Sequence, residues 1–145
     1  MSICLERRYR FSASHLYRRP EWDEEANRRA FGKCANLPGH GHNYRLFVTV
    51  TGEVDPLTGF LVDLAELDRV VDREVVQALD HQHLNSAVEE FRDDKSRSGK
   101  MKIPSSENLV AWIRDRLEAA LPPGVVLVKV RLEEDEDLAA EWNDR

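Results

Sequence analysis

The feature that most constrains the fold is a segment of regular alternation that begins at Tyr44. From Tyr44 to Val50 every second residue is aliphatic or aromatic, and arginine, phenylalanine and threonine lie between them. Successive side chains of a strand point to opposite faces, so residues 43–51 are predicted to form a long strand with one buried face. A similar alternation runs from Ile3 to Phe11, although Arg7 interrupts its apolar face. Two such strands need further elements to cover them.

Two amphipathic segments predict the helices that would provide this cover. Residues 63–79 carry apolar side chains every three or four positions, and Asp63 followed by Glu66 resembles an N-terminal capping box. Residues 105–120 repeat the pattern, with Ser105 or Ser106 as the cap. The apolar stripes are Leu64, Leu67, Val71, Val75 and Leu79 in the first helix and Leu109, Ile113, Leu117 and Ala120 in the second.

The remaining segments complete an order of elements that predicts an α+β fold. We expect a long loop after the first strand, a short return strand at 60–62, and strands at 125–132 and 138–142 around five consecutive acidic residues. Residues 89–102 are polar and predict a mobile surface loop with no function of its own. This grouping favours antiparallel pairing with both helices on one sheet face. At 145 residues, a single domain spanning residues 1–145 is expected.

Composition disfavours several classes of function. Lys and Arg number 21 against 27 Asp and Glu, a formal net charge of −6, so the overall field opposes binding to nucleic acid and to anionic membranes. Apolar runs fall far short of the ~20 residues of a membrane span, and the charged N-terminus lacks the apolar core of a secretion signal. We therefore expect a cytoplasmic protein in which Cys4 and Cys34 are both thiols.

Three histidines are candidate metal ligands. His40 and His42 are two residues apart at the start of the second strand, so both imidazoles can face one point. His15 follows the first strand, and three neutral imidazoles with one water would make an open tetrahedral zinc site. The alternative is that these are exposed or hydrogen-bonded turn histidines, and the spacing alone leaves both interpretations open.

Other residues could carry proton-transfer chemistry. Cys34, near a metal or Lys33, would have a lowered pKa and could act as a base or nucleophile; the alternative is an inert buried thiol. Asp80 beside His81 could orient that imidazole for proton transfer, although helix C-termini also favour histidine for electrostatic reasons. His83 is interpreted as structural.

Glu134 is a candidate for binding a heterocycle. At the end of the last long strand, its carboxylate could accept two donors from a guanidine-like edge. The alternative is a solvated acid within the acidic run 133–137.

Taken together, these segments resemble the family of 6-pyruvoyl-tetrahydropterin synthases and 6-carboxytetrahydropterin synthases. The matching segments follow the family's order and span nearly the whole chain. They are residues 11–15, 32–44 (GKCANLPGHGHNY), 51–67 (TGEVDPLTGFLVDLAEL), 80–85 (DHQHLN), 104–108 (PSSEN) and 130–142. A histidine triad, a cysteine, an Asp-His pair and a glutamate in this order are specific in combination, so the resemblance favours the functional interpretation of each.

The resemblance implies the T-fold, in which a four-stranded antiparallel sheet carries two helices on one face. Subunits of that family assemble into a barrel, usually a homohexamer, with active sites between subunits. The resemblance also implies that zinc is the cofactor and that it is bound by His15, His40 and His42.

Roles in catalysis and in substrate binding follow from the same resemblance. Cys34 corresponds to the proton-abstracting base, and Asp80 with His81 corresponds to the relay for a second proton transfer. Glu134 is similar to the residue that grips the pterin ring. The residues expected near it are Ser105, Ser106 and Glu107.

The implied substrate is a small molecule, 7,8-dihydroneopterin triphosphate, and two products are possible. Five residues separate Cys34 from His40, as in the group that forms 6-pyruvoyl-tetrahydropterin with loss of triphosphate, whereas the carboxy-forming enzymes of queuosine synthesis commonly have three. The close alternative is 6-carboxy-5,6,7,8-tetrahydropterin, formed with release of acetaldehyde and triphosphate. A T-fold protein that binds zinc and pterin without turnover is the remoter alternative.

Some positions depart from the family's pattern. Leu16 stands where a basic residue often follows the first histidine, which leaves Arg7, Arg18 and Lys33 as candidates for contacts with the triphosphate. The acidic run also leaves a one-residue choice between Glu133 and Glu134 as the pterin anchor. The ending Ala140-Glu141-Trp142 favours Glu134.

Overall fold

A computed structural model describes residues 2–93 and 100–144 of the chain. Its described residues form one sheet in the order β3-β1-β2-β4-β5. Helical segments lie between the strands in the sequence. In chain order the elements are β1 (Cys4–His15), α1 (Glu24–Phe31), a 3-10 turn (Gly32–Ala35), β2 (His40–Thr51), α2 (Leu64–Val71), a π-helical turn (Asp72–Val76), α3 (Gln77–Leu79), β3 (Gln82–His83), α4 (Leu84–Ala87), a second 3-10 turn (Glu89–Phe91), α5 (Ser106–Ala120), β4 (Val126–Glu133) and β5 (Ala139–Asn143).

The two predicted N-terminal strands pair antiparallel along their whole length. The register runs from Cys4 opposite Thr51 to His15 opposite His40, so both strands are longer than the alternation alone predicted. Backbone pairing continues beyond the alternating segments, so the paired part of β1 ends at His15 and that of β2 begins at His40.

The core lies on the face of the sheet predicted to be buried. Alternate residues of β2 from Tyr44 to Val50 are almost fully buried, and they belong to the same hydrophobic cluster as the buried residues of the helices. Those helical residues are Leu67, Val70, Val71, Val75, Leu79, Leu109, Val110, Ile113 and Leu117. The predicted helical stripes therefore point into the core, where Ala120 is only partly buried, whereas Leu64 is exposed.

Both predicted helices begin at a capping residue. The Asp63 carboxylate accepts from the backbone N–H groups of Ala65 and Glu66, and the Ser105 hydroxyl accepts from Asn108 N–H. These bonds satisfy N–H groups that have no partner inside the helix. The first helical segment reaches Leu79, but through a π-helical turn that the spacing of its apolar residues did not reveal.

The sheet has five strands in place of four, because Gln82 and His83 add a short strand parallel to β1. The predicted return strand at 60–62 is wrong, since those residues are irregular. Asp55 Oδ1 accepts from the N–H groups of Leu57 and Thr58, so local turn bonds replace strand pairing just before them.

A helix replaces part of the long loop expected after β1. Asp23 caps α1 by accepting from Ala26 N–H, and the buried side chain of Asn27 bonds to the backbone at Arg19, Trp22 and Asp23. Sequence reasoning missed α1 because polar capping, rather than an apolar stripe, stabilises it.

The predicted surface loop at 89–102 is partly wrong. Phe91 and Met101 are buried, and Phe91 belongs to the main core. Residues 94–99 of that prediction lie outside the described residues. Among the helices that are described, none is both long and apolar enough to cross a membrane.

Candidate metal centre and surrounding site

Three histidines meet where β1 and β2 pair at their ends. His40 and His42 project from the same face of β2, and His15 lies directly opposite His40 in the register. The Nε2 atoms of His15 and His40 are 3.2 Å apart, and one ring nitrogen from each histidine lies within 4.8 Å of the others. Strand register therefore brings together residues that are 25 positions apart in sequence.

His15 is the most protected member of this triad. Its side chain is fully buried, and its Nδ1 lies 3.0 Å from the hydroxyl oxygen of Tyr44. Burial, followed by the neighbouring charges of His42 and His40, lowers the pKa of His15 to about 3. His15 is therefore neutral at physiological pH, the state in which imidazole binds a metal ion.

The triad fits a divalent metal ion. Three imidazole nitrogens with one open position form the donor set of a tetrahedral catalytic zinc site. Among residues 2–93 and 100–144, this is the group of histidine, cysteine and carboxylate side chains whose ligand atoms lie close enough to share an ion. The donor chemistry and the neutrality of His15 agree with that use.

Glu134 points at the triad. Its side chain is buried, and Oε1 lies 3.6 Å from His15 Nε2 and 3.7 Å from His42 Nε2. The Tyr17 hydroxyl donates to the same oxygen at 3.3 Å. Glu133 instead lies within β4, where its carboxylate is 3.9 Å from Arg131 Nε. Of the two glutamates that the sequence left as candidates, Glu134 is thus the one that adjoins the histidines.

Cys34 lies beside this cluster in the first 3-10 turn. Its carbonyl oxygen accepts from Tyr17 N–H at 2.9 Å, which ties the turn to the chain just after His15. Burial, and then the negative charge of Glu134, raise the pKa of the Cys34 thiol. Lys33 by itself therefore does not lower this pKa, and the lowered pKa expected beside a bound metal ion stays a prediction. A thiolate at Cys34 needs compensating positive charge.

The Asp80-His81 pair is anchored to β1. Asp80 Oδ1 accepts from Ser12 N–H at 2.9 Å, and Oδ2 lies 3.0 Å from His81 Nδ1. The His81 backbone has φ 59°, an uncommon conformation for a side-chain-bearing residue, and its N–H donates to the Ser12 carbonyl. The bond from Ser12, and then the bond with His81, lower the pKa of Asp80.

One cavity is lined by His81 of this pair and by His42 of the triad. It has a volume of about 550 Å³, and its walls include His42, His81 and His83. His83 was interpreted as structural, but its Nδ1 lies 2.8 Å from the Ser14 hydroxyl and its ring also faces this cavity. No sequence pattern placed His83 at this cavity, because its position depends on the parallel pairing of β3 with β1.

Two further tyrosines belong to the site and were missed. Tyr17 donates to Glu134, and Tyr44 contacts His15. Tyr44 could have been found from the alternation, since it follows His40 and His42 on the same face of β2. The position of Tyr17 depends on the chain's path after β1, which the sequence did not predict.

The structure does not bring Ser105, Ser106 and Glu107 to the triad within one chain. Ser106 and Glu107 line a separate cavity of about 450 Å³ between α5 and β5, whose described walls include none of the three histidines, Cys34 or Glu134. Ser105 is engaged in capping α5.

Two of the candidate contacts for a triphosphate are paired with acids. The Arg7 guanidinium donates to both carboxylate oxygens of Asp68, at 3.0 and 2.8 Å. Arg18 pairs with Glu24 and donates to the Ala35 carbonyl oxygen. Arg18 nevertheless lines a cavity of about 560 Å³ that also includes His83 and Arg92.

Comparison with known proteins gives consistent matches over most of the chain. Residues 4–144 match the family described as 6-pyruvoyl tetrahydropterin synthase. The 6-pyruvoyl tetrahydrobiopterin synthases of Pongo abelii and Homo sapiens are 43% and 42% identical over 134 residues, which cover 92% of this chain and 86% of each relative. The solved structure of Caenorhabditis elegans 6-pyruvoyl tetrahydropterin synthase superposes with a TM-score of 0.86 at 33% identity, covering 100% of this chain and 97% of that one.

Proposed function

Because this chain belongs to the 6-pyruvoyl tetrahydropterin synthase family, we propose that it is a zinc-dependent lyase that converts 7,8-dihydroneopterin triphosphate to 6-pyruvoyl-tetrahydropterin and triphosphate. The observation that carries this proposal is the convergence of the His15, His40 and His42 nitrogens beside the buried carboxylate of Glu134. A site of this kind can hold a metal ion and an uncharged heterocycle next to each other.

Glu134 orients the pterin ring in this proposal. Its carboxylate accepts the ring's N–H donors, with Tyr17 holding Oε1 in place. Because Oε1 lies within 3.7 Å of two histidine nitrogens, a ring bound there keeps its side chain next to the triad. Zinc, when bound, supplies a Lewis acid that polarises and acidifies the substrate's side-chain hydroxyls.

Cys34 and His81 divide the proton transfers. The Cys34 thiolate removes a proton from a side-chain carbon, the triphosphate leaves, and His81 returns or relays protons during the internal redox rearrangement. The pterin ring supplies the reducing equivalents. Asp80 fixes the His81 ring through the contact of Oδ2 with Nδ1 at 3.0 Å, and Ser12 anchors both residues.

A neighbouring copy of the chain completes the site in this proposal. Ser105, Ser106 and Glu107 contribute to binding the pterin from an adjacent subunit, because the cavity that Ser106 and Glu107 line in one chain lacks the triad. The assembly proposed is a homohexamer of T-fold domains, each with both helices on one sheet face. Light scattering on the purified protein tests the subunit count, and a monomer that turns over fully would contradict this arrangement.

The decisive experiment is an anaerobic incubation of the zinc-loaded protein with 7,8-dihydroneopterin triphosphate. Triphosphate release is followed, and the pterin product is identified by mass. The 6-pyruvoyl product is expected. The 6-carboxy product with acetaldehyde would instead assign the chain to the alternative reaction. Zinc and pterin binding without release of triphosphate would contradict any lyase.

Two cysteine variants separate catalysis from binding. Cys34→Ala is expected to lower turnover by about 10²- to 10⁴-fold, the usual contribution of a general base, while zinc content stays unchanged. Cys4→Ala is the matched control, since Cys4 is an exposed thiol at the start of β1. Equal turnover in Cys34→Ala and Cys4→Ala would contradict the role of Cys34.

A further inference from the structure

We propose that Tyr44 is a positioning residue for the metal centre: its phenol oxygen accepts the Nδ1–H of His15 and thereby presents the unprotonated Nε2 of His15 to the metal. This inference rests on the proposed metal site but not on the pterin chemistry. None of the contacts that carry it lies at the protein surface, because Tyr44 is 1% and His15 is 0% exposed.

The first step is the contact itself. Tyr44 OH and His15 Nδ1 are 3.0 Å apart, within hydrogen-bond distance. Tyr44 lies on the same face of β2 as His40 and His42, so the strand that supplies two ligands also supplies the partner of the third. A metal-binding histidine generally donates its other ring N–H to such a partner, which fixes both tautomer and ring orientation.

The second step is the direction of this hydrogen bond. His15 Nδ1 faces the Tyr44 hydroxyl, whereas His15 Nε2 faces His40 Nε2 and the Glu134 carboxylate. A metal ion shared with His40 is therefore bound at Nε2, which leaves the proton of the neutral ring on Nδ1. The Nδ1–H group then donates to the phenol oxygen of Tyr44.

The third step is the consequence for the metal. A neutral imidazole carries one proton, so a histidine protonated at Nδ1 has a free lone pair at Nε2. His15 Nε2 is the atom that lies 3.2 Å from His40 Nε2 and 3.6 Å from Glu134 Oε1. Tyr44 thus selects the tautomer in which the buried histidine is ready to bind a cation.

The aromatic ring of Tyr44 is held independently of its hydroxyl. It stacks on Phe11 with ring centroids 4.9 Å apart and an interplanar angle of 15°. Tyr44→Phe therefore removes the hydroxyl and retains this packing. Tyr9→Phe is the matched control, because the Tyr9 hydroxyl donates to Asp68 Oδ1 at 2.8 Å and has no contact with the triad.

The test measures zinc affinity by competition with a chromophoric chelator. Tyr44→Phe is expected to bind zinc about 10- to 100-fold more weakly than the wild type, the usual cost of losing such a partner. Tyr9→Phe should match the wild type. Equal affinity in Tyr44→Phe and the wild type would overturn this inference alone, whereas absence of zinc binding by the wild type would overturn the proposed metal site with it.

A second measurement does not depend on the folding of any variant. Nitrogen-15 chemical shifts of the metal-free wild-type protein report which ring nitrogen of His15 carries the proton. We expect the proton on Nδ1. A proton on Nε2 would overturn the inference.

Discussion

His15 of the triad and His81 of the Asp80-His81 pair are the same residue type in opposite environments. His15 is fully buried, and its pKa is lowered to about 3, chiefly by burial. The His81 side chain is 82% exposed, and its Nδ1 contacts the Asp80 carboxylate. Burial keeps an imidazole neutral for binding a metal ion, while exposure leaves the other imidazole in contact with water and with the contents of the cavity. The two therefore suit different tasks within one site.

Removing the exposed histidine gives the largest expected effect. His81→Ala should lower turnover by about 10²- to 10⁴-fold and leave zinc affinity unchanged, since His81 contacts Asp80 and Ser12 but none of the three metal-ligand candidates. Steady-state kinetics and zinc titration on the same preparation check this. A loss of zinc affinity together with turnover would contradict the separation of His81 from the metal centre.

Removing a metal-ligand candidate should lower the zinc affinity itself. His40→Ala is expected to weaken zinc binding on the order of 10²-fold or more, beyond the ~10- to 100-fold cost of losing an outer partner. His83→Ala is the control, because His83 faces the same cavity as His42 but contacts Ser14. Chelator competition on both variants measures the difference, and equal affinities would remove His40 from the ligand set.

Metal removal tests whether the triad serves catalysis or structure. None of the three histidines belongs to the hydrophobic core cluster, so the metal-free protein should remain folded. Zinc at 100 times its Kd should add about 2.7 kcal/mol. At about 2–4 °C per kcal/mol for a chain of this size, we expect Tm to rise by roughly 5–11 °C. Circular dichroism and calorimetry with and without chelator provide the measurement; unfolding on chelation would indicate a structural zinc.

The smallest effect is expected from replacing Asp80. The pKa of Asp80 is lowered by the bonds from Ser12 and His81, so its stabilising contribution is present above the unfolded-state pKa and is lost as pH falls through the folded-state pKa. Asp80→Asn should therefore show a shallower loss of stability than the wild type below about pH 4. Urea unfolding from pH 7 to pH 3 compares the two. Parallel curves would contradict the contribution of Asp80.

Sequence patterns predicted elements that carry their own local signal. The alternation from Tyr44 to Val50 and the caps at Asp63 and Ser105 were sufficient for β2 and the two main helices. The α1 helix and β3 were missed for different reasons. The first is stabilised by polar capping at Asp23 and by Asn27, and the second forms only because β1 offers a free edge to Gln82 and His83.

Some residues of the candidate site could likewise be placed from the sequence, and others could not. His40 and His42 could be placed on one face from their spacing, whereas the approach of His15, Glu134 and Cys34 depends on strand register and on the turn after each strand. The sequence predicted a lowered pKa for Cys34 beside a metal ion or Lys33, whereas in the chain without a metal ion burial and then Glu134 raise this pKa. Lys33 is adjacent to Cys34 in sequence. In the folded chain, however, the charge that acts on the Cys34 thiol is that of the Glu134 carboxylate.

By itself, the sequence determined the family, the α+β class and the residue types available for chemistry, because short-range periodicity and motif order are properties of the chain. The tertiary structure alone decided which of Glu133 and Glu134 faces the triad, that Tyr44 contacts His15, and that Ser106 and Glu107 lie at a separate cavity. Those facts depend on distances between residues far apart in sequence, and such distances are set by strand register and packing.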